Sequence, residues 1–259
     1  MLKIRIMPTL LLKDHCLIKG ISFDSWRVVG TPIPSIKVYN LREVDEIVFL
    51  DISATVKNKP PDLSIVRDIA SECFSPLTVG GGIKTLVQVH DLLRAGADKV
   101  CINSSAYDTP QLIRQTANQF GSQCVVVGID FRKNQQGVFE TYSHSGTHPC
   151  GYDIVTWAKK VEQLGAGEIL LTSITRDGTM QGYDLDAIRQ VTQAVTVPVI
   201  ASGGAGNYAH LYEAITVGGA SAVAASSIFH FTEQTPLGAK KYLLSKGIPI
   251  RQQTSFVAA

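Results

Sequence analysis

The sequence predicts one α/β domain, a single (β/α)8 barrel built from two pseudo-symmetric half-barrels spanning roughly 1–122 and 123–250, with a frayed tail at 251–259. Three observations carry this. Short runs rich in Val and Ile, each bounded by Gly, Asp or Ser, recur along the chain. Segments of helical period alternate with them. Two motif pairs also repeat at one spacing: VGGGI from Val79 with SGGAG from Ser202 (202 − 79 = 123), and GADKVCINSS from Gly96 with GASAVAASSI from Gly219 (219 − 96 = 123).

In order, the predicted strands are IRIMPTLLL, EIVFLDIS, LTVGGGI, KVCINSS, VVVGID, EILLTSITRDG, VIASGGAG and AVAASS. They are continuous apolar runs rather than alternating ones, as in strands buried on both faces. Helical periods stand out over 84–95, 111–120, 152–164, 185–195 and 208–217. Eight alternations within roughly 230 residues fit a closed barrel better than an open sheet. Polar residues and glycines gather at the C-terminal strand ends, where such barrels build their sites. The tail RQQTSFVAA has no period and is expected to fray.

Composition narrows the function. The 259 residues, 45% hydrophobic and 18% charged, suffice for one large core. A net charge of +2 without basic runs argues against a nucleic-acid or membrane surface. Five cysteines, Cys16, Cys73, Cys101, Cys124 and Cys150, show no CxxC spacing. That odd number suits reduced thiols in the cytosol, and Cys101 and Cys124 are expected in the core. The N-terminus lacks the features of a signal peptide, so a soluble, cytoplasmic protein is expected.

Glycines just past a buried strand let a ligand approach the backbone, and amides at the next helix start favour an anion. Gly81 and Gly82 with Asn103 and Ser104 form one such cluster. Gly203 and Gly204 with Ser226 and Ser227, plus Asp177 and Gly178, form its mate. One cradle in each half predicts a small molecule carrying two phosphates. Strand five ends in VVVGID, placing Asp130 at the mouth as a candidate general acid or base. The pseudo-twofold sets the end of strand one, at Leu11, opposite it, and leucine cannot move a proton. Asp14 is no substitute, because side chains alternate along a strand and residue 14 lies off the face of residue 11 or beyond the strand.

EIVFLDISA, TVGGGI, GADKVCINSSA, FGSQCVVVGID, GAGEILLTSITRDGTMQGYD and VPVIASGGAG together resemble the cyclase subunit of imidazole glycerol phosphate synthase, the synthase half of a glutamine amidotransferase in histidine biosynthesis. The likeness runs from Met1 to about Phe231. It implies a lyase-type synthase subunit that receives ammonia at its N-terminal face from a glutaminase subunit and passes it through the barrel to a two-phosphate substrate. It implies no cofactor and no metal. Asp130 then matches one of the family's two catalytic aspartates, while the other falls on Leu11. Pro8, Lys13, Asp14, Lys19 and Gly20 remain in step with the pattern, so no gap explains the leucine. Thr175 also departs from an expected acidic residue, so that two acidic groups at one mouth are expected to have become neutral. Arg5, Glu46, Lys99 and Glu168 match the family's charged gate, Asp98 its docking-face residue, and Lys19 a mobile-loop lysine used near the substrate. Trp26, Val28 and Val29 are expected to give that loop a lid-like contact.

A divergent branch of the family accompanies sugar amidotransferases in surface-polysaccharide pathways, and Leu11 and Thr175 make the chain similar to that branch. The alternatives are a working cyclase in histidine biosynthesis and a non-catalytic scaffold that activates the glutaminase. His144, His148 and Cys150 in HSGTHPC have the residue types of a zinc site, but the family has a metal-free hairpin there.

Overall fold

A computed structural model describes residues 3–251; the expected frayed tail lies, apart from Arg251, outside the described residues. Twelve strands and ten α-helices follow in order: β1 (Arg5–Lys13), β2 (Cys16–Ile21), β3 (Asp24–Gly30), α1 (Pro32–Leu41), β4 (Ile47–Asp51), α2 (Leu63–Glu72), β5 (Leu77–Gly80), α3 (Leu86–Arg94), β6 (Lys99–Ile102), α4 (Ser104–Asp108), α5 (Gln111–Phe120), β7 (Val125–Lys133), β8 (Phe139–Ser143), β9 (His148–Asp153), α6 (Ile154–Gln163), β10 (Glu168–Ser173), α7 (Leu185–Thr192), β11 (Val199–Ser202), α8 (Tyr208–Thr216), β12 (Ala222–Ala225), α9 (Ser227–Phe231) and α10 (Pro236–Ser245).

Eight of the strands are parallel neighbours in the cyclic order β1, β4, β5, β6, β7, β10, β11, β12, and the β12–β1 pairing closes the (β/α)8 barrel. The other four strands form two antiparallel hairpins, β2–β3 after the first barrel strand and β8–β9 after the fifth. Side chains alternate across each barrel strand. One set packs outward against the helices in a large core that includes Ile6, Val79, Ile129 and Val223. The other packs inward as a separate cluster of Met7, Val48, Cys101, Val126, Leu170, Ile200, Ala222 and Ala224. Continuous apolar runs in the sequence are the consequence, since both faces are dry.

Helix limits follow from caps. Thr85 and Gln88 form a capping box that starts α3 two residues after position 84, and the Asp153 carboxylate takes the amides of Val155 and Thr156 at the start of α6. α10 is fastened to the bottom of the barrel by a buried ion pair, Lys240 Nζ to Asp45 Oδ1 at 2.7 Å. The other oxygen of Asp45 accepts from the Ile6 amide at 2.9 Å.

The repeat slips by one residue. β6 and β12 keep the spacing read from the sequence (222 − 99 = 123). The glycine turns do not: a Cβ on Gly81 would stand 2.2 Å from the Asp51 carbonyl, and one on Gly203 2.7 Å from that of Ser173. Gly81 therefore corresponds to Gly203 (203 − 81 = 122) and Asp51 to Ser173 (173 − 51 = 122). Both glycines have positive φ, 111° and 88°, so any side chain there would meet both backbone strain and a carbonyl.

The segment after β1, expected to be a loop with a mobile lysine, is the β2–β3 hairpin, and Lys19 is only 2% exposed. No helix among the described residues is long and apolar enough to cross a membrane.

Candidate active site at the C-terminal barrel mouth

A cavity of about 1210 Å³, counted out to its open mouth, sits at the C-terminal ends of the barrel strands. All ten residues predicted to cradle phosphate line it: Gly81, Gly82, Asn103, Ser104, Asp177, Gly178, Gly203, Gly204, Ser226 and Ser227. Asp130, Lys19 and Leu11 line it too. The fold thus gathers side chains more than 200 residues apart in sequence at one mouth. Asn103 Oδ1, Ser226 Oγ and Ser227 Oγ are buried there with no hydrogen-bond partner in the protein. Unpaired buried polar atoms are costly, and in a cavity wall they fit a polar ligand. Ser104 Oγ is already engaged, accepting from the His144 amide at 3.0 Å.

Strand register settles the relation between Leu11 and Asp130. Leu11 pairs with Leu50 of β4, and Asp130 pairs with Thr172 of β10. Leu50 and Thr172 immediately precede the equivalent residues Asp51 and Ser173, so Leu11 holds in the first half the place that Asp130 holds in the second. Leu11 is 9% exposed. Asp14 lies beyond β1 at φ 49°, with an exposed side chain paired to Lys57, and does not reach the cavity wall.

Three carboxylates do line the cavity: Asp51, Asp130 and Asp177. Asp51 Oδ1 is committed to a turn, accepting from the Ser53 amide at 2.9 Å, the Ser53 hydroxyl at 2.8 Å and the Ala54 amide at 3.1 Å. Asp177 Oδ2 lies 2.5 Å from Lys19 Nζ. Asp130 accepts from Asn103 Nδ2 at 2.8 Å. Burial is the main force on its carboxyl, and the charge of Asp177 adds to it; against the opposing Asn103 hydrogen bond they raise its pKa to about 7.

Thr175 corrects an expectation. Its side chain is exposed and lies outside the cavity lining, while its carbonyl accepts from Ser22 Oγ at 3.2 Å. A neutral residue there takes no charge from the wall, because the acidic group of that loop facing the cavity is Asp177, two residues on.

The β2–β3 hairpin roofs the mouth. Lys19 and the Ser22 amide both bind Asp177, the latter donating to its carbonyl at 2.8 Å. Gly178, with φ 77°, packs so tightly beneath the hairpin that a Cβ would come within 2.1 Å of the Gly20 carbonyl. Trp26 lines the cavity as a lid would, but Val28 is 65% exposed and turns away. Phe23, Thr55, Ser145 and Thr9 also line the cavity; sequence reading did not single them out. Phe23 and Ser145 stand at the tips of the two hairpins, so pseudo-symmetry applied to the loops would have pointed to both.

At the opposite end, four ionisable side chains close a ring. Arg5 Nη1 lies 2.8 Å from Glu46 and 3.0 Å from Glu168, and Lys99 Nζ lies 2.8 Å from Glu46 and 3.0 Å from Glu168. Thr78, missed in the sequence, donates to Glu46 Oε1 at 2.6 Å. Arg5, Lys99 and Glu168 each begin a barrel strand and Glu46 precedes one, so their inward-facing side chains meet on the axis. Asp98 is exposed at this same end, with one carboxylate oxygen accepting from the Leu77 amide at 2.8 Å.

His144 and His148 flank the turn of the β8–β9 hairpin with ring centroids 4.7 Å apart. Among the described residues no group of three or more His, Cys, Asp or Glu is placed to hold a metal ion. All five cysteines are free, with Cys101 and Cys124 buried. A closed eight-stranded barrel with glycine-lined strand ends in both halves agrees with a family model described as histidine biosynthesis protein, which matches residues 5–235, and the chain belongs to that family.

Proposed function

We propose that this barrel is a cyclase-subunit-like component of a glutamine amidotransferase of the imidazole glycerol phosphate synthase type. It takes ammonia from a glutaminase docked at the N-terminal barrel face, near Asp98, and conducts it to the C-terminal cavity. The final acceptor is then a surface-polysaccharide sugar amidated by a third protein, and cyclisation of a two-phosphate precursor is impaired. The observation that carries this reading is Leu11 in the register position of Asp130, with the charged ring at the other end intact.

Each part of the route has a physical role. Arg5 and Lys99 are held across the axis by Glu46 and Glu168, so shifting one pair opens a gap. Beyond the ring, Met7, Val48, Val126, Leu170 and Ile200 pack as the apolar inner layer of the barrel, and this layer is the bore that the conduit reading assigns to the nitrogen. A cation crossing it would lose its hydration without compensation, so nitrogen travels as neutral ammonia. At the exit, Asp130 is poised near neutrality and can hold or release one proton, but no second carboxylate stands in the mate position to take the other half of a proton exchange.

The test is reconstitution with the glutaminase, supplying glutamine or ammonia and the two-phosphate histidine precursor. Loss of one member of an acid–base pair lowers turnover by roughly 10²–10⁴, while glutamine-dependent nitrogen release persists. Imidazole product at an ordinary rate would sink the reading and favour the second one, a working cyclase. That alternative is supported by the pKa of Asp130 and by Lys19 and Asp177 in the same cavity.

A further inference from the structure

Where the apolar inner layer meets the cavity floor, a buried hydroxyl has no hydrogen-bond partner. Thr9 lies between Met7 and Leu11 on the inward face of β1, is 8% exposed and lines the cavity. Its Oγ1 is buried without a hydrogen-bond partner. Thr78, the hydroxyl nearer the ring, is already bonded to Glu46. At the position equivalent to Thr9 across the barrel stands Gly128, two residues before Asp130 as Thr9 is two before Leu11. Gly128 has no side chain to offer that hydroxyl a partner, and a Cβ there would crowd Asn103 at 3.3 Å and Cys101 Sγ at 3.4 Å. The floor of the cavity therefore holds an unpaired hydroxyl on one side and bare backbone on the other.

A valine would fill the same shape without the unpaired hydroxyl, so the threonine offers a hydrogen-bonding site that a small ligand can fill. That partner has to be small enough to enter between Leu11, Leu50 and Leu170, neutral enough to cross the bore, and able to donate and accept hydrogen bonds. Resting on the conduit reading above, we infer that Thr9 is a way-station that binds ammonia through its hydroxyl at the boundary between the apolar bore and the cavity. Water meets the same chemical description and is the competing occupant the experiment has to separate.

The experiment uses the full chain with 13C-labelled threonine and leucine methyl groups, titrated with ammonium chloride and in parallel with sodium chloride. Two pH values, about 8 and about 9.5, both above the titration of Asp130, change the share of neutral ammonia at fixed total ammonium. The expected result is a saturable shift of the Thr9 methyl and of the Leu11 methyls that follows ammonia rather than ammonium and is absent with sodium chloride. The Leu11 response disappears in Thr9→Val and returns in Thr9→Ser. No saturable response at Thr9, or the same response in Thr9→Val as read at Leu11, overturns the inference and leaves water as the occupant.

Failure of the site and failure of the conduit are separable. Nitrogen transfer that stops when the ring is blocked by Lys99→Leu, with no ammonia response at Thr9, removes the site and keeps the conduit. An ammonia response at Thr9 with transfer indifferent to Lys99→Leu keeps the site and removes the conduit.

Discussion

Lys19 of the first half-barrel reaches across the cavity mouth to Asp177 of the second, Nζ to Oδ2 at 2.5 Å. The lysine is 2% exposed, and this pair, with the Ser22 amide on the Asp177 carbonyl, ties the hairpin to the second half-barrel. Removing one partner loses a charge-assisted hydrogen bond, about 1.5–3 kcal/mol. Lys19→Met is expected to speed hydrogen exchange in β2 and β3 by tenfold or more while leaving the barrel strands protected. Equal protection of the hairpin in the variant and the parent would show that other contacts hold it.

Gly178 gives a second route to the same roof. A methyl at this position would come within 2.1 Å of the Gly20 carbonyl, at a backbone angle that side chains rarely adopt. Gly178→Ala is expected to displace the hairpin and expose Trp26, read as a red shift and stronger quenching of Trp26 fluorescence in a Trp157→Phe background. An unmoved spectrum would mean that the hairpin yields without opening.

The pKa of Asp130 makes stability depend on pH in a defined direction. Its carboxyl titrates near 7 when folded and near 3.9 when unfolded, so the folded state binds the proton more tightly. This contribution is fully present below about pH 4 and is lost as pH rises through about 7. Asp130→Asn removes that slope, so the variant should gain stability relative to the parent as pH rises from about 4 to 7 and keep that gain above 7. Denaturation midpoints of both proteins across this range check it; parallel curves would contradict the raised pKa.

Leu11→Asp restores a carboxylate to the position paired with Leu50. If the rest of the cyclase machinery is assembled, turnover of the two-phosphate precursor should rise by roughly 10²–10⁴. A revertant as slow as the parent would place the loss elsewhere in the cavity.

Glu46 is the hub of the ring: 2% exposed, it binds Arg5, Lys99 and Thr78. Truncating a buried member of such a network leaves cations unpaired and costs about 3–5 kcal/mol. Glu46→Ala should lower the denaturation midpoint accordingly, and Glu46→Gln by less, since an amide still accepts from Thr78 and Lys99. Near-parental stability of Glu46→Ala would mean that water or Glu168 replaces it.

Much of this was legible in the chain because it rests on local chemistry. Apolar strands, capped helices and glycine turns depend on neighbours in sequence, and the repeat of GADKVCINSS in GASAVAASSI set the two halves side by side. The one-residue slip between Gly81 and Gly203 was hidden, since shared glycines align equally well at 122 or 123 and only the carbonyls of Asp51 and Ser173 distinguish them. Thr175 was misjudged for a similar reason. Position in a motif does not say which side chain of a turn faces inward.

By itself the sequence determined the barrel, the absence of a carboxylate at position 11 and the residue types at both strand-end cradles, because these follow from period, spacing and identity. Tertiary structure alone decided that Lys19 is locked to Asp177, that Thr175 points away from the cavity, and that Thr9 stands on the inward face with its hydroxyl unpaired. Those relations join side chains from separate strands and loops across a closed cylinder, where burial and the partner opposite, not the neighbour in the chain, set charge, position and hydrogen bonding.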